Sequence, residues 1–110
     1  MLPVPEKRLN LLLEALSSLK TPEECAAFLE DACTIKEIQD IAQRLEVASL
    51  LSAKLSYQEI SKETGASTAT ISRVNRCLTY GRNGYRIVLD RMNEQIKNRQ
   101  APDEMQQMRR

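Results

Sequence analysis

The sequence has no histidine and no tryptophan, and only one phenylalanine and three tyrosines. Without histidine, the residue most often used as a metal ligand and as a general base near neutral pH is missing. Cysteine is scarce as well. Cys25, Cys33 and Cys77 lie far apart, and no two form a C-x-x-C pair. This pattern excludes a Cys/His zinc site and suits a reducing cytoplasm better than a disulfide framework. There is no G-x-S-x-G elbow and no glycine-rich loop to cradle phosphate, so the chain does not read as an enzyme. No apolar run approaches the roughly 18 residues of a membrane span. Near the start, Pro3 and Pro5 and the charges that follow interrupt any signal-peptide core. The expectation is a cytoplasmic protein with no membrane segment, no metal and no bound cofactor.

The chain contains 110 residues, of which 42% are hydrophobic but only 4% aromatic. Its core must therefore be aliphatic, built from Leu, Ile, Val and Ala. One small domain over residues 1–100, followed by a flexible tail over 101–110, is expected. A core of this size is marginal alone, and pairing with a second copy would help it. The net charge of +1 conceals an asymmetry. Residues 1–50 carry 5 Lys/Arg and 9 Asp/Glu, whereas residues 51–110 carry 11 Lys/Arg and 6 Asp/Glu. Only the second, basic half is suited to an anionic partner.

Three capping boxes punctuate the chain: Thr21-Pro22-Glu23-Glu24, Thr34-Ile35-Lys36-Glu37 and Ser56-Tyr57-Gln58-Glu59. In each, the hydroxyl satisfies an amide of the first turn and the glutamate reaches back, next to the positive end of the helix dipole. Each opens a stretch with helical spacing of apolar residues, and no strand-like alternation is sustained. The fold class predicted is all-α, with six helices at about 6–19, 22–31, 35–53, 57–64, 68–80 and 85–99. A turn at Gly81-Arg82-Asn83-Gly84 precedes the last. The first helix places Leu9, Leu12, Leu13, Leu16 and Leu19 on one broad face, and the sixth aligns Tyr85, Leu89, Met92 and Ile96. Both faces need a large apolar partner.

The segment YQEISKETGASTATISRVNRCL, residues 57–78, has the spacing of a helix-turn-helix. Counting Tyr57 as the first position, Gly65 is the ninth and supplies the positive φ that the turn requires. Ile60, Ile71 and Val74 fall on the inward positions. Ser61 is the small residue where the helices touch, and Ser67 can cap the second helix. Ser67, Thr68, Ala69, Ser72, Arg73 and Arg76 are then left outward or at the leading end. In this motif those residues meet base edges in the major groove. Lys54, Lys62, Arg82 and Arg86 surround the unit and can engage phosphates. The expected partner is double-stranded DNA. A different reading, a helix-turn-helix that docks proteins in a DNA-associated assembly, is compatible with the acidic first half.

The motif, together with EIQDIAQRLEVASLL before it, resembles the Trp-repressor-like proteins. It is most similar to their YerC/YecD group, with which it shares G-A-S-T-A-T-I-S-R-V and C-L-x-Y-G-x-x-G-Y. The resemblance covers residues 21–92 or so. It implies a six-helix fold, an intertwined homodimer and a transcriptional repressor acting at a pseudo-palindromic operator. For the effector pocket it implies a correspondence residue by residue. Arg73 matches an arginine that packs on the indole of L-tryptophan, and Thr70 matches a nearby threonine. Val74 stands where the tryptophan-binding protein has a glycine, and Cys77 where it has a serine. A second pocket arginine aligns with Gln43, with Arg44 next to it. Valine would crowd the ring, and loss of a cation would weaken carboxylate binding. L-tryptophan is therefore not the expected effector, and the resemblance names no other small molecule.

Overall fold

The computed structural model describes the backbone of residues 3–108 and the side chains of residues 3–96. Six helices follow in order: α1 (Glu6–Ser18), α2 (Pro22–Ala32), α3 (Ile35–Ser52), α4 (Tyr57–Thr64), α5 (Thr68–Tyr80) and α6 (Gly84–Met108). No strand occurs among the described residues. The all-α expectation holds, and α4 and α5 have the predicted bounds. The exception is α6, which starts one residue early and runs to Met108 instead of ending near 99. Its backbone passes through much of the stretch expected to be a flexible tail. Pro102 withholds one amide there, but Glu, Met and Gln around it are good helix formers. Positions 109–110 of that stretch lie outside the described residues.

The chain divides into two compact units, residues 1–39 and 40–110, where the sequence suggests a single domain over 1–100. The boundary falls within α3. The first unit holds α1, α2 and the start of α3. Neither α1 nor α2 has a buried residue. Leu12, Leu13 and Leu16 remain 45%, 49% and 45% exposed. The leucine face predicted for the first helix thus forms, and these side chains stay about half exposed among the described residues.

Its capping follows the sequence closely, with one difference. At α3, the Glu37 amide donates to Thr34 Oγ1 at 3.1 Å and the Thr34 amide donates to Glu37 Oε1 at 2.8 Å. The backbone amide of Thr34, and after it the Thr34 side chain, hold the Glu37 carboxyl below its ordinary value of 4.5. At α2, the Glu24 amide donates to Thr21 Oγ1 at 3.1 Å, but Glu24 Oε1 accepts from the amide of Lys20 at 2.9 Å. The glutamate reaches one residue further back than the box predicts and still satisfies an amide ahead of the first turn.

The second unit contains the buried core: Val47 and Ala48 of α3, Ile60 of α4, Ala66 of the turn, and Ile71, Val74 and Leu78 of α5. Leu50, Leu51, Leu55, Tyr85 and Leu89 pack around it. All are aliphatic except Tyr85, as the composition requires. Each fully buried Ile or Val contributes about 1.5–3 kcal/mol relative to exposure. α5 lies against both α4 and α6.

α3 ends in a Schellman motif. Leu55 N–H donates to Leu50 O at 3.2 Å and Lys54 N–H to Leu51 O at 3.0 Å. Lys54 occupies the left-handed position with φ 68°, where glycine is usual.

Candidate nucleic-acid interface

Residues 56–67 build the turn from local chemistry. Ser56 and Glu59 close a complete capping box at the start of α4. Gly65 ends the helix in the left-handed region, φ 74° and ψ 5°, and its amide donates to Ser61 O at 2.9 Å. A Cβ at Gly65 would meet nothing within 4 Å, so the backbone angle alone demands glycine. Thr64 Oγ1 donates to Ile60 O at 2.7 Å and accepts from Ala66 N at 3.1 Å. Ser61, expected only to be small, also donates its hydroxyl to Ala66 O at 2.9 Å across the turn. From α3, Gln43 Nε2 donates to Thr64 O at 3.1 Å. Helix ends leave carbonyls without intrahelical partners, and these side chains supply them.

α5 then presents two distinct faces. Ile71, Val74 and Leu78 are buried. Thr68, Ala69, Ser72, Arg73 and Arg76 are all exposed, as the spacing predicts. Among the described residues, Thr68, Ser72, Arg73 and Arg76 make no intrachain side-chain hydrogen bond or ion pair. Ser67 differs. Its Oγ accepts from Thr70 N at 3.1 Å and lies 3.1 Å from Thr70 Oγ1, to which it donates. Ser67 thus caps α5 through its oxygen and remains exposed at the leading end of the helix.

The flanking cations also separate. Lys54, Lys62 and Arg82 are exposed. Arg86 is exposed as well, but its Nε donates to Leu78 O at 3.2 Å near the C-terminus of α5. That places a cation where the helix dipole is negative. Gly81 follows α5, and a Cβ there would clash with the Cys77 carbonyl oxygen. Here close backbone approach, and not a positive φ, requires glycine.

The residues expected to surround a small-molecule effector do not converge. Val74, only 2% exposed, is part of the core. Gln43 is bonded to the turn, Thr70 to the cap, and Arg73 points outward. Arg44 and Cys77 alone of the six line an open hollow of about 700 Å³, with Ile41, Leu45, Tyr85 and Val88 among its apolar walls. The resemblance pointed to Arg44 and Cys77 only, because the apolar walls of the hollow come from three helices. Among the described residues, no group of three His, Cys, Asp or Glu side chains is placed to hold a metal. No helix described is long and apolar enough to cross a membrane.

A capped recognition helix, a left-handed glycine turn and an exposed row of Thr, Ser and Arg define a helix-turn-helix protein. The sequence profile of the Trp repressor protein family matches residues 7–93. YerC of Bacillus subtilis (strain 168) is 56% identical over 88 residues, spanning 80% of this chain and 85% of YerC. A TrpR-like protein from Eubacterium eligens has a similar structure, with a TM-score of 0.77 and 47% identity over 81% of this chain and 92% of that one. A candidate Trp repressor from Staphylococcus aureus superposes with a TM-score of 0.76 and 47% identity, covering 79% and 87% of the two chains. The chain belongs to the Trp repressor family, whose members are DNA-binding regulators.

Proposed function

We propose that the protein is a homodimeric repressor of the cytoplasm that binds a pseudo-palindromic operator through α4 and α5. The observation that carries this reading is the face of α5. Thr68, Ser72, Arg73 and Arg76 are exposed and unpaired among the described residues, on a helix whose opposite face is locked by Ile71, Val74 and Leu78. The hydroxyls suit phosphates or bases, and the arginines suit guanine edges. Lys54 and Lys62 add sequence-independent attraction to phosphate.

A dimer is supported by the uncovered apolar surface. Besides the α1 leucines, α6 exposes Ile87, Val88, Met92 and Ile96. Surface of that extent is unusual on a protein that remains alone in water. Two-fold symmetry would set the recognition helices about one DNA turn apart. L-tryptophan is not required in this reading. This rests on the resemblance, which sets Val74 where the tryptophan-binding protein has a glycine, and on the bond of Gln43 to the turn.

Selection of bound duplexes from a random library tests the proposal. The expected result is an enriched inverted repeat with half-sites roughly 10 base pairs apart, centre to centre. Binding without any enriched sequence would reject a specific regulator, and absence of retention on DNA at low salt would favour the protein-docking reading. Sedimentation at micromolar concentration should give a dimer; a monomer would reject the assembly. Calorimetric titration with L-tryptophan should give no binding heat.

A further inference from the structure

Gln43 lies in α3, outside the helix-turn-helix, yet its side chain ends on the turn. We infer that Gln43 is a positioning residue that sets the seating of the turn, and with it the leading end of α5, for DNA binding. The inference rests on the DNA-binding reading given above. Its physical basis is the hydrogen bond from Gln43 Nε2 to Thr64 O, 3.1 Å long, between residues 21 apart in sequence.

Two kinds of contact tie α3 to the motif. The first is apolar: Val47 and Ala48 share a core with Ile60, Ile71 and Val74. Such contacts are non-directional and tolerate small slides of one helix over another. The Gln43 bond is directional. It ends on the last residue of α4, immediately before the left-handed Gly65 and three residues before the Ser67 cap. The remaining polar bonds of the turn, Ser61 to Ala66 and Thr64 to Ile60, are internal to it. They fix the shape of the turn and say nothing about where α3 holds it. Binding geometry tolerates errors of only about 0.5 Å, and Thr68 and Ala69 follow the turn directly. A shift at Thr64 is therefore passed to the reading residues.

Two substitutions isolate the donor. Gln43→Met keeps length and neutrality and removes the N–H. Gln43→Glu keeps the shape but sets a carboxylate against the Thr64 carbonyl. Each variant is titrated against the selected operator duplex and against a scrambled duplex of the same composition. Circular dichroism confirms that each is folded. Amide hydrogen exchange at 65–67 is read in the same samples.

The ratio of specific to scrambled affinity should fall about five- to tenfold in Gln43→Met, the effect of one net hydrogen bond. Exchange at 65–67 should accelerate while scrambled-duplex binding, driven by phosphate charge, stays within twofold. Gln43→Glu should lose more specific affinity and, through its added charge, some scrambled affinity. An unchanged affinity ratio in folded Gln43→Met overturns the inference, as does unchanged exchange at 65–67. If the wild-type protein prefers no sequence, the proposed function fails instead. Exchange in Gln43→Met then still decides whether this bond seats the turn. A merely structural role would lower the melting temperature and leave the affinity ratio of the folded fraction alone.

Discussion

Replacing Gly65 with alanine isolates one physical effect, because nothing lies within 4 Å of where the new Cβ would sit. No contact is made or broken, and the penalty comes from the backbone. At φ 74° an L-residue suffers a clash between Cβ and its own backbone that costs about 1–2 kcal/mol. Alanine also stiffens the unfolded chain, which returns about 0.4–1 kcal/mol. The net loss expected is about 1 kcal/mol, or about 4–8 °C in melting temperature for a domain of this size. Gly65→Asn should lose less, since asparagine visits the left-handed region more readily. Thermal unfolding followed by circular dichroism at one fixed protein concentration measures both, a precaution that matters because association shifts the apparent midpoint. A loss above about 3 kcal/mol would mean that Gly65 makes a close contact. No loss at all would mean that the turn does not hold a positive φ. Either result would refute the reasoning.

Lys54→Gly should raise stability by about 1 kcal/mol by relieving its left-handed backbone, while weakening DNA binding at low salt; a stabilised variant with unaltered binding would remove Lys54 from the interface. Gly81→Ala should destabilise by about 1–3 kcal/mol in the same melts, because its Cβ would meet the Cys77 carbonyl and the end of α5 must move. Arg73→Ala should relax sequence preference in gel shifts, whereas Lys62→Ala should weaken all duplexes alike and flatten the salt dependence. The depressed carboxyl of Glu37 gives stability that is present above the ordinary value of 4.5 and lost as pH falls through its lower folded value. Unfolding of Glu37→Gln against pH should therefore lose part of its dependence in the acid range and match the wild-type slope near neutrality.

Features that depend on nearby residues were legible in the sequence. The bounds of α4 and α5, the capping role of Ser67 and the need for glycine at 65 all follow from spacing and hydroxyl chemistry within a few positions. The inward set Ile60, Ile71 and Val74 was equally clear, because a two-helix motif repeats one geometry. What was hidden depends on long-range approach or on side-chain pairs that spacing does not specify. Gln43 and Thr64 are 21 residues apart, and no periodicity links an amide to a distant carbonyl. Arg86 read as a phosphate ligand from its charge, and the bond of its Nε to the Leu78 carbonyl eight residues earlier was not legible. Ser67 caps α5 as its spacing predicts, but the tie of its hydroxyl to the Thr70 side chain was not legible.

That last feature limits how this surface can change its target. Thr68, Ala69 and Ser72 carry no bond that the fold depends on, and exposed substitutions of this kind usually alter stability by less than about 0.5 kcal/mol. They can be exchanged freely, and sequence preference can drift with them. Ser67 cannot. Most replacements would leave the first turn of α5 uncapped, and aspartate would cap it only by placing a negative charge against the phosphates. New specificities within this scaffold should therefore arise at positions 68, 69 and 72, with position 67 held to a short hydroxyl or amide side chain.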